Sequence, residues 1–508
     1  MRNALIYLAV LSLLATACVQ RLHRTVAPPD ALNTVDRTAP FLKVHMDDGT
    51  LYVFSTWASN DAEELVTGSG THYGVDRQVI GEGVFSLTLR DIALFETNLA
   101  RPSPSVAALA VITGISAAVT VYCAMNTKAC FGSCPTFYVT DGERELLQAE
   151  GFSASIAPRL EARDVDHLYR ARTHGSNLQV HMVNEAYETH VVRYVNLLAV
   201  PRAGDHRVFQ DDSGNFWYTT PPLAPSSCQV PEGDCASAVL AFDGQERWTE
   251  ADSTDLAARE TIDLLFDVGL EAPALLVASR QSLLPTYLLY QAFAYLGTSL
   301  GQWLATFERA DGAAFDATRS VVEALGGIDV LVQGSDGGWD TVTTILETGP
   351  LAADVRLVPL PVSEGPVRVR LSMAKGAWRI DWFALTSIQG RAEPVRIQPS
   401  DVFARGRPAA DARAKLSNAE DALVTFPGDR YTIMYRLPGD AQDYELFLES
   451  QGYYLEWMRE EWVAEEDPAR AAAFFLDPAG SLRRLAPEFK KVEAQLDSAF
   501  WRSKYAGF

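Results

Sequence analysis

Alternation of apolar and polar positions with a period of two dominates this chain. Between Leu42 and Asn98, "LKVHM" and "LYVFSTW" flank Asp48-Gly49, a pattern that predicts two strands joined by a tight turn. "VFSLTLRDIALFETN" places Phe85, Leu87 and Leu89 on one face, so 42–100 reads as a small antiparallel β domain. The period returns over 128–226. "TFYVTDGERELLQ" is strand, Asp141-Gly142 turn, strand; "LQVHMVNEAYETHVVRYVNLLAVP" is a strand pair with a polar centre; "RVFQDDSGNFWYTTPP" closes the unit. The region 227–395 is the most orderly, with short runs such as "ALLVASR", "IDVLVQG", "VRLVPL" and "WRIDWFAL". In "VRVRLSM", Val367, Val369, Leu371 and Met373 share one face and Arg368, Arg370 and Ser372 the other. The expected fold is mainly β (α+β overall), with antiparallel β-sandwich modules carrying an inserted helix and C-terminal helices.

Three stretches break the alternation. Residues 101–127 contain an Ala/Gly-rich apolar segment, "VAALAVITGISAAVTVY", with Ala110, Gly114 and Ala118 four apart. That small-residue ridge suits close helix packing, either buried or across a membrane. A second uncharged run, 283–307, holds Gln291 and Gln302 and reads as a helix at about 285–309 packed on its own sandwich. The C-terminal α+β region, 396–508, has Asp467 as an N-cap with Pro468 in the first turn, then Phe489, Val492, Leu496, Phe500 and Trp501 along one helical face.

Charge and the N-terminus set the compartment. The net charge of -22 argues against a nucleic-acid partner and against adsorption to anionic lipid headgroups. "MRNALIYLAVLSLLATAC" has one early positive charge, a short apolar run and small residues before Cys18, so 1–17 reads as a signal peptide. The segment is similar to a bacterial lipobox, which implies that Cys18 carries the lipid anchor and that 18–41 is a polar, Pro-containing tether. Several acyl chains hold a protein on a membrane stably. Val19 after the cysteine points to an outer-membrane lipoprotein facing the periplasm or the cell surface.

Outside the cytoplasm disulfides are permitted. The short spacings predict pairs Cys130–Cys134, in "CFGSCP", and Cys228–Cys235, across Pro231-Gly233; Cys123 is left over. Three further readings compete with the disulfide strap for Cys130 and Cys134. A redox dithiol would need two intervening residues and a helix at the first cysteine. A zinc site lacks a fourth ligand. The motif also resembles the C-x-x-x-C-P copper site of Sco-type delivery proteins, with His206 as a distant third ligand, but the thioredoxin-like βαβ order of that family is missing. "NEAYETH" groups Glu185, Glu188 and His190; on a strand the last two share a face and the first does not. No hydrolase elbow, zincin motif or phosphate loop occurs, and "TGSGTH", 67–72, reads as a Gly-rich turn. The sequence therefore nominates no catalytic residue, no metal ligand and no cofactor. The aromatic cluster Tyr453, Tyr454, Trp457 and Trp462 is the candidate ligand contact, as a stacking platform for sugar.

"ACFGSCPTFYVTDGE", "AEGFSASIAPRLEARDVDHLY", "VNEAYETHVVRYVNLLAVPR" and "YELFLESQGYYLEWMREEW" resemble a set of uncharacterised bacterial lipoproteins. "VRVRLSMAKGAWRIDWFAL" resembles the closing strands of a galactose-binding-like jelly roll. The reading that follows is a lipid-anchored envelope protein, non-catalytic, whose β-sandwich binds a glycan or an envelope protein. The alternative is a copper-type metal-handling or redox protein using Cys130 and Cys134, or a hydrolase with an unrecognised site. If the lipobox is read correctly, a clickable fatty acid labels the wild type in cells, and Cys18→Ala abolishes the label.

Overall fold

The computed structural model describes residues 20–27, 29–46, 48, 50–60, 64–74, 79–102, 134–141, 144–171, 175–186, 188–202, 204–301, 303, 321–346, 349–363, 365–418, 420–457 and 460–497. Mainly antiparallel sheets make up these residues, with few helices. They divide into two compact units. One gathers the described residues up to Pro102 with Gly297–Ser299 and Glu460–Glu466; the other holds the remainder. Cys18, Cys123, Cys130 and the 106–122 stretch lie outside the described residues. Among the described residues, no helix is long and apolar enough to cross a membrane.

The first unit is built on a 6-stranded sheet whose inner face buries Leu42, Val44, Phe54, Val66 and Phe95. Two expectations are corrected here. Residues Gln20–Ala27 are not a free tether: they form a strand antiparallel to Ile92–Pro102, from Gln20↔Pro102 to Ala27↔Phe95. Its partner lies some seventy residues away, so local composition could not reveal the pairing. "TGSGTH" is not a turn but the interior of strand Leu65–Tyr73. A Cβ at Gly68 would meet the Phe54 ring at 2.3 Å, and one at Gly70 would meet the Val53 carbonyl oxygen at 1.9 Å. Both glycines are there because the neighbouring strand, kinked by a register shift at Phe54/Thr56, approaches too closely for a side chain.

In the second unit the pairing cuts across the boundaries expected at 226 and 395. Strand Glu188–Pro201 pairs along its length with Tyr444–Glu456, and Asn177–Val183 pairs with Arg430–Arg436. Strands of the 396–508 region thus complete sheets begun in 128–226. Arg207–Asp211 and Phe216–Thr219 join Pro273–Gln281, Asp354–Pro359 and Trp378–Ala392 in a closed barrel. The barrel closes through a parallel contact, Gln210↔Arg356. A further 6-stranded sheet holds Ser227–Val230, Gly233–Asp234, Arg259–Phe266, Ile328–Gln333, Trp339–Ile345 and Val367–Ala374. In Val367–Ala374 the four apolar residues are buried, as the alternation requires.

The inserted helix spans Leu284–Leu296 and buries Tyr287, Leu288, Gln291 and Tyr295. Its cover differs from the expectation. The C-terminal helices supply it: Tyr287 meets Phe489 edge-on at 5.1 Å, the Tyr295 carbonyl accepts the Asp467 N–H at 3.0 Å, and Trp303 stacks on Phe475 at 5.0 Å. Asp467 caps helix Pro468–Leu476 by accepting from Ala469 and Arg470 N–H, as read from the sequence.

The strand junctions bury several carboxylates. Glu150, at the end of Arg144–Glu150, accepts the Leu351 and Ala352 N–H groups at 2.6 and 3.4 Å. Burial nevertheless pushes its pKa up to about 7, the two N–H donors only partly opposing. The folded chain therefore holds a proton that an unfolded glutamate, titrating near ~4.3, has lost. This contribution to stability is full below that unfolded value and is lost as pH rises through the folded one. In urea titrations, Glu150→Gln should gain stability relative to wild type at pH 7.5, on the order of 2 kcal/mol, and the gap should close toward pH 4.

Candidate functional site

A short disulfide-strapped hairpin organises a cleft in the second unit. Strands Ser227–Val230 and Gly233–Asp234 turn through Pro231-Glu232, with Gly233 at φ +135°. Cys228 and Cys235 are disulfide-bonded, as their spacing predicts, and the Cys228 carbonyl also accepts the Cys235 N–H at 2.9 Å. Asp234 Oδ1 accepts the Ala236 N–H at 3.2 Å and starts the single helical turn Ala236–Ala238. The chain is then laid against strand Trp378–Ala392. The Phe383 N–H donates to Val239 O at 3.0 Å, and Arg247 and Ile380 exchange backbone hydrogen bonds of 2.7 and 2.9 Å. That anchoring presents the next residue, Trp248, at the surface.

Trp248 is 47% exposed, unusual for the largest apolar side chain when it sits beside well-fixed backbone. The cleft it lines has a volume of about 470 Å³, and Glu232, Asp234, Arg247, Thr249, Glu250 and Lys375 share its wall. The Arg379 guanidinium stands 4.9 Å from the indole centroid, a cation–π contact. The polar groups are held from behind. Arg247 Nη2 donates to buried Glu260 at 2.7 Å, and Thr249 Oγ1 donates to the other oxygen of Glu260 at 2.6 Å. Lys490 reaches Glu250 at 2.7 Å and Glu493 at 2.5 Å; its hydrogen bond holds the Glu250 carboxyl below its usual range. A flat aromatic face rimmed by fixed carboxylates, a guanidinium and an ammonium can stack on the C–H face of a sugar ring while exchanging hydrogen bonds with its hydroxyls.

The residues nominated from the sequence fall elsewhere. Tyr453, Tyr454, Trp457 and Trp462 do not form a platform. Tyr454 is buried, its hydroxyl donating to Ser153 O at 2.9 Å; burial, then the Cys134 and Glu188 charges, hold its phenol well above the usual range. Trp457 Nε1 donates to Thr189 Oγ1 at 2.9 Å. Trp462 is buried in the first unit, and Tyr453 is half-buried. Tyr453 and Tyr454 pack because strand Tyr444–Glu456 is interior to its sheet, whereas Trp457 follows that strand and Trp462 lies on helix Glu460–Ala464.

The two polar motifs converge instead. His190 Nε2 lies 3.1 Å from Glu188 Oε2, both side chains buried, with Tyr454 edge-on to His190 at 6.4 Å and Cys134 close enough to act on the same phenol. Glu185 points away, accepting from Thr136 Oγ1 at 2.9 Å and Tyr138 Oη at 2.8 Å. Among the described residues, no three His, Cys, Asp or Glu side chains converge to hold a metal ion. The Cys130–Cys134 pairing and a copper site with His206 both require Cys130, outside the described residues.

Sequence reading missed Trp248. The available signal was a lone tryptophan in the polar run "QERWTEADSTD", soon after a strapped hairpin.

No family model matches the chain, and no curated protein matches it. Among solved structures, an uncharacterised Listeria monocytogenes protein in complex with glucose, magnesium and calcium is similar at 8% identity and a TM-score of 0.16. That match covers 69% of this chain and 29% of the Listeria protein, so the chain spans under a third of its length. The ANX1 ectodomain of Arabidopsis thaliana gives 7% identity over 73% of this chain and 78% of its own, with a TM-score of 0.14. A GH31 α-xylosidase of Xanthomonas citri gives 9%, covering 82% and 38%, with a TM-score of 0.15. Scores this low carry no argument about fold or ligand.

Closing a loop with a sequence separation of 7 removes chain entropy worth ~2.5 kcal/mol. Cys228→Ser/Cys235→Ser should lower the urea-unfolding free energy by about that amount. Reducing agent should have the same effect on the wild type and none on the double variant.

Proposed function

We propose that this chain is a lipid-anchored cell-envelope protein that binds a glycan, without chemistry of its own, in the cleft at Trp248. The observation that carries the reading is the exposed indole in a cleft lined by charged groups of both signs, beside a disulfide-strapped hairpin. The ligand class follows from the wall. Its groups carry both signs in near balance, Glu232, Asp234 and Glu250 against Arg247 and Lys375, so a neutral polyhydroxyl is matched better than a strongly charged partner. The aromatic surface supplies the apolar contact that hydroxyl exchange with water cannot. The disulfide supports an oxidising compartment, in line with the N-terminal signal and the Cys18 anchor.

The test is calorimetric titration of full-length protein in detergent with neutral tetrasaccharides of glucose, xylose and N-acetylglucosamine. At least one series should bind, and Trp248→Ala should weaken it about tenfold or more while leaving the melting temperature within about a degree. If no series binds, or if binding survives Trp248→Ala unchanged, the reading fails.

A further inference from the structure

A second cavity, of about 120 Å³, lies at the junction of strand Ala162–His167, the loop after strand Arg144–Glu150, and strand Asp354–Pro359. Asp164, Asp166, Ser155 and Arg356 line it. Asp164 and Asp166 are two apart on one strand and therefore share a face. Asp166 is 4% exposed, and its Oδ2 is buried with no hydrogen-bond partner among the described residues. The Ser155 hydroxyl is fully buried and equally without a partner among the described residues. Native interiors rarely leave such atoms unsatisfied, and a carboxylate oxygen least of all.

The charges do not balance either. Two guanidiniums line the cavity: Arg163, which pairs with Glu449 at 2.6 Å, and Arg356, which is engaged with Asp354, Nε to Oδ2 at 2.9 Å. Each pair is neutral as a unit. Asp164 and Asp166 remain, two negative groups in a buried space. Asp164 is already fixed by the Phe152 and Val165 N–H groups, each at 2.9 Å. The loop facing it is held in an uncommon shape, with Phe152 at φ +41°. A non-glycine residue in that region stores strain, which the surroundings must impose for a reason.

We propose that this cavity is a site for one hard divalent cation of the calcium class, held by Asp166, Asp164 and the Ser155 hydroxyl, with water completing the shell. All three donors are oxygen, and two carboxylates match a charge of two. The site needs no cage of three acidic side chains, because hard cations retain water and accept hydroxyl and carbonyl oxygen. A volume of about 120 Å³ has room for the ion and several waters.

The test uses full-length protein in detergent, stripped with chelator and dialysed against 1 mM calcium chloride or magnesium chloride in 0.1 M sodium chloride. About one calcium per chain should be retained by elemental analysis, and the melting temperature should rise by about 3 °C or more over the stripped protein. Asp166→Asn should lose both effects and, with one buried charge fewer, melt higher than stripped wild type. Ser155→Ala keeps both carboxylates and should weaken calcium affinity about tenfold with the fold intact. Absence of a bound divalent ion in the wild type, or calcium retention unaltered by Asp166→Asn, overturns the proposal. Magnesium binding with the same two variant responses supports the class and reassigns the preferred ion.

Discussion

The second unit depends on one pairing: Glu188–Pro201 against Tyr444–Glu456, strands about 250 residues apart that exchange backbone hydrogen bonds over nearly their whole length. Closing a loop of that size is entropically costly and slow, so the register must be specified by more than apolar contact. Strand Ala162–His167 adds to the other edge of Tyr444–Glu456, and Val395–Ile397 to the other edge of Glu188–Pro201.

Buried ions lock that register. Glu449, with no side-chain exposure, accepts from Arg163 at 2.6 Å, Arg396 at 2.8 Å and Asn196 at 3.2 Å. Glu445 takes Arg207 at 2.6 Å and Arg202 at 3.2 Å, and its partners hold its carboxyl well below the usual range despite burial. Such pairs contribute little net stability against an apolar alternative, yet a slip of one residue would strand a charge in the core. The same strand system then makes the Asp164–Asp166 cavity conspicuous. There both lining guanidiniums are committed to other carboxylates, and a rule satisfied at Glu445 and Glu449 is broken among the described side chains.

The two sites rest on different kinds of support. The Trp248 cleft takes its hairpin and helical turn from one stretch of chain, while Ile380, Lys375 and Lys490 reach it from elsewhere in the second unit. The acidic cavity is assembled from three segments spread over some two hundred residues.

The sequence by itself determined the elements whose causes are local. Period-two alternation marked Val367–Ala374 and its buried face, Asp467 and Pro468 marked a helix start, and the spacing of Cys228 and Cys235 marked a disulfide. It also marked that Glu188 and His190 share a face and Glu185 does not. Only the tertiary structure decided which strands are neighbours, and with that which side chains are reachable. It turned Gln20–Ala27 from a tether into a strand and took the inserted helix to the C-terminal helices. It also buried Tyr454 while leaving Trp248 in the open. The physical reason is that alternation sorts side chains between two faces of a strand, whereas burial depends on what covers each face. Cover comes from strands and helices hundreds of residues away.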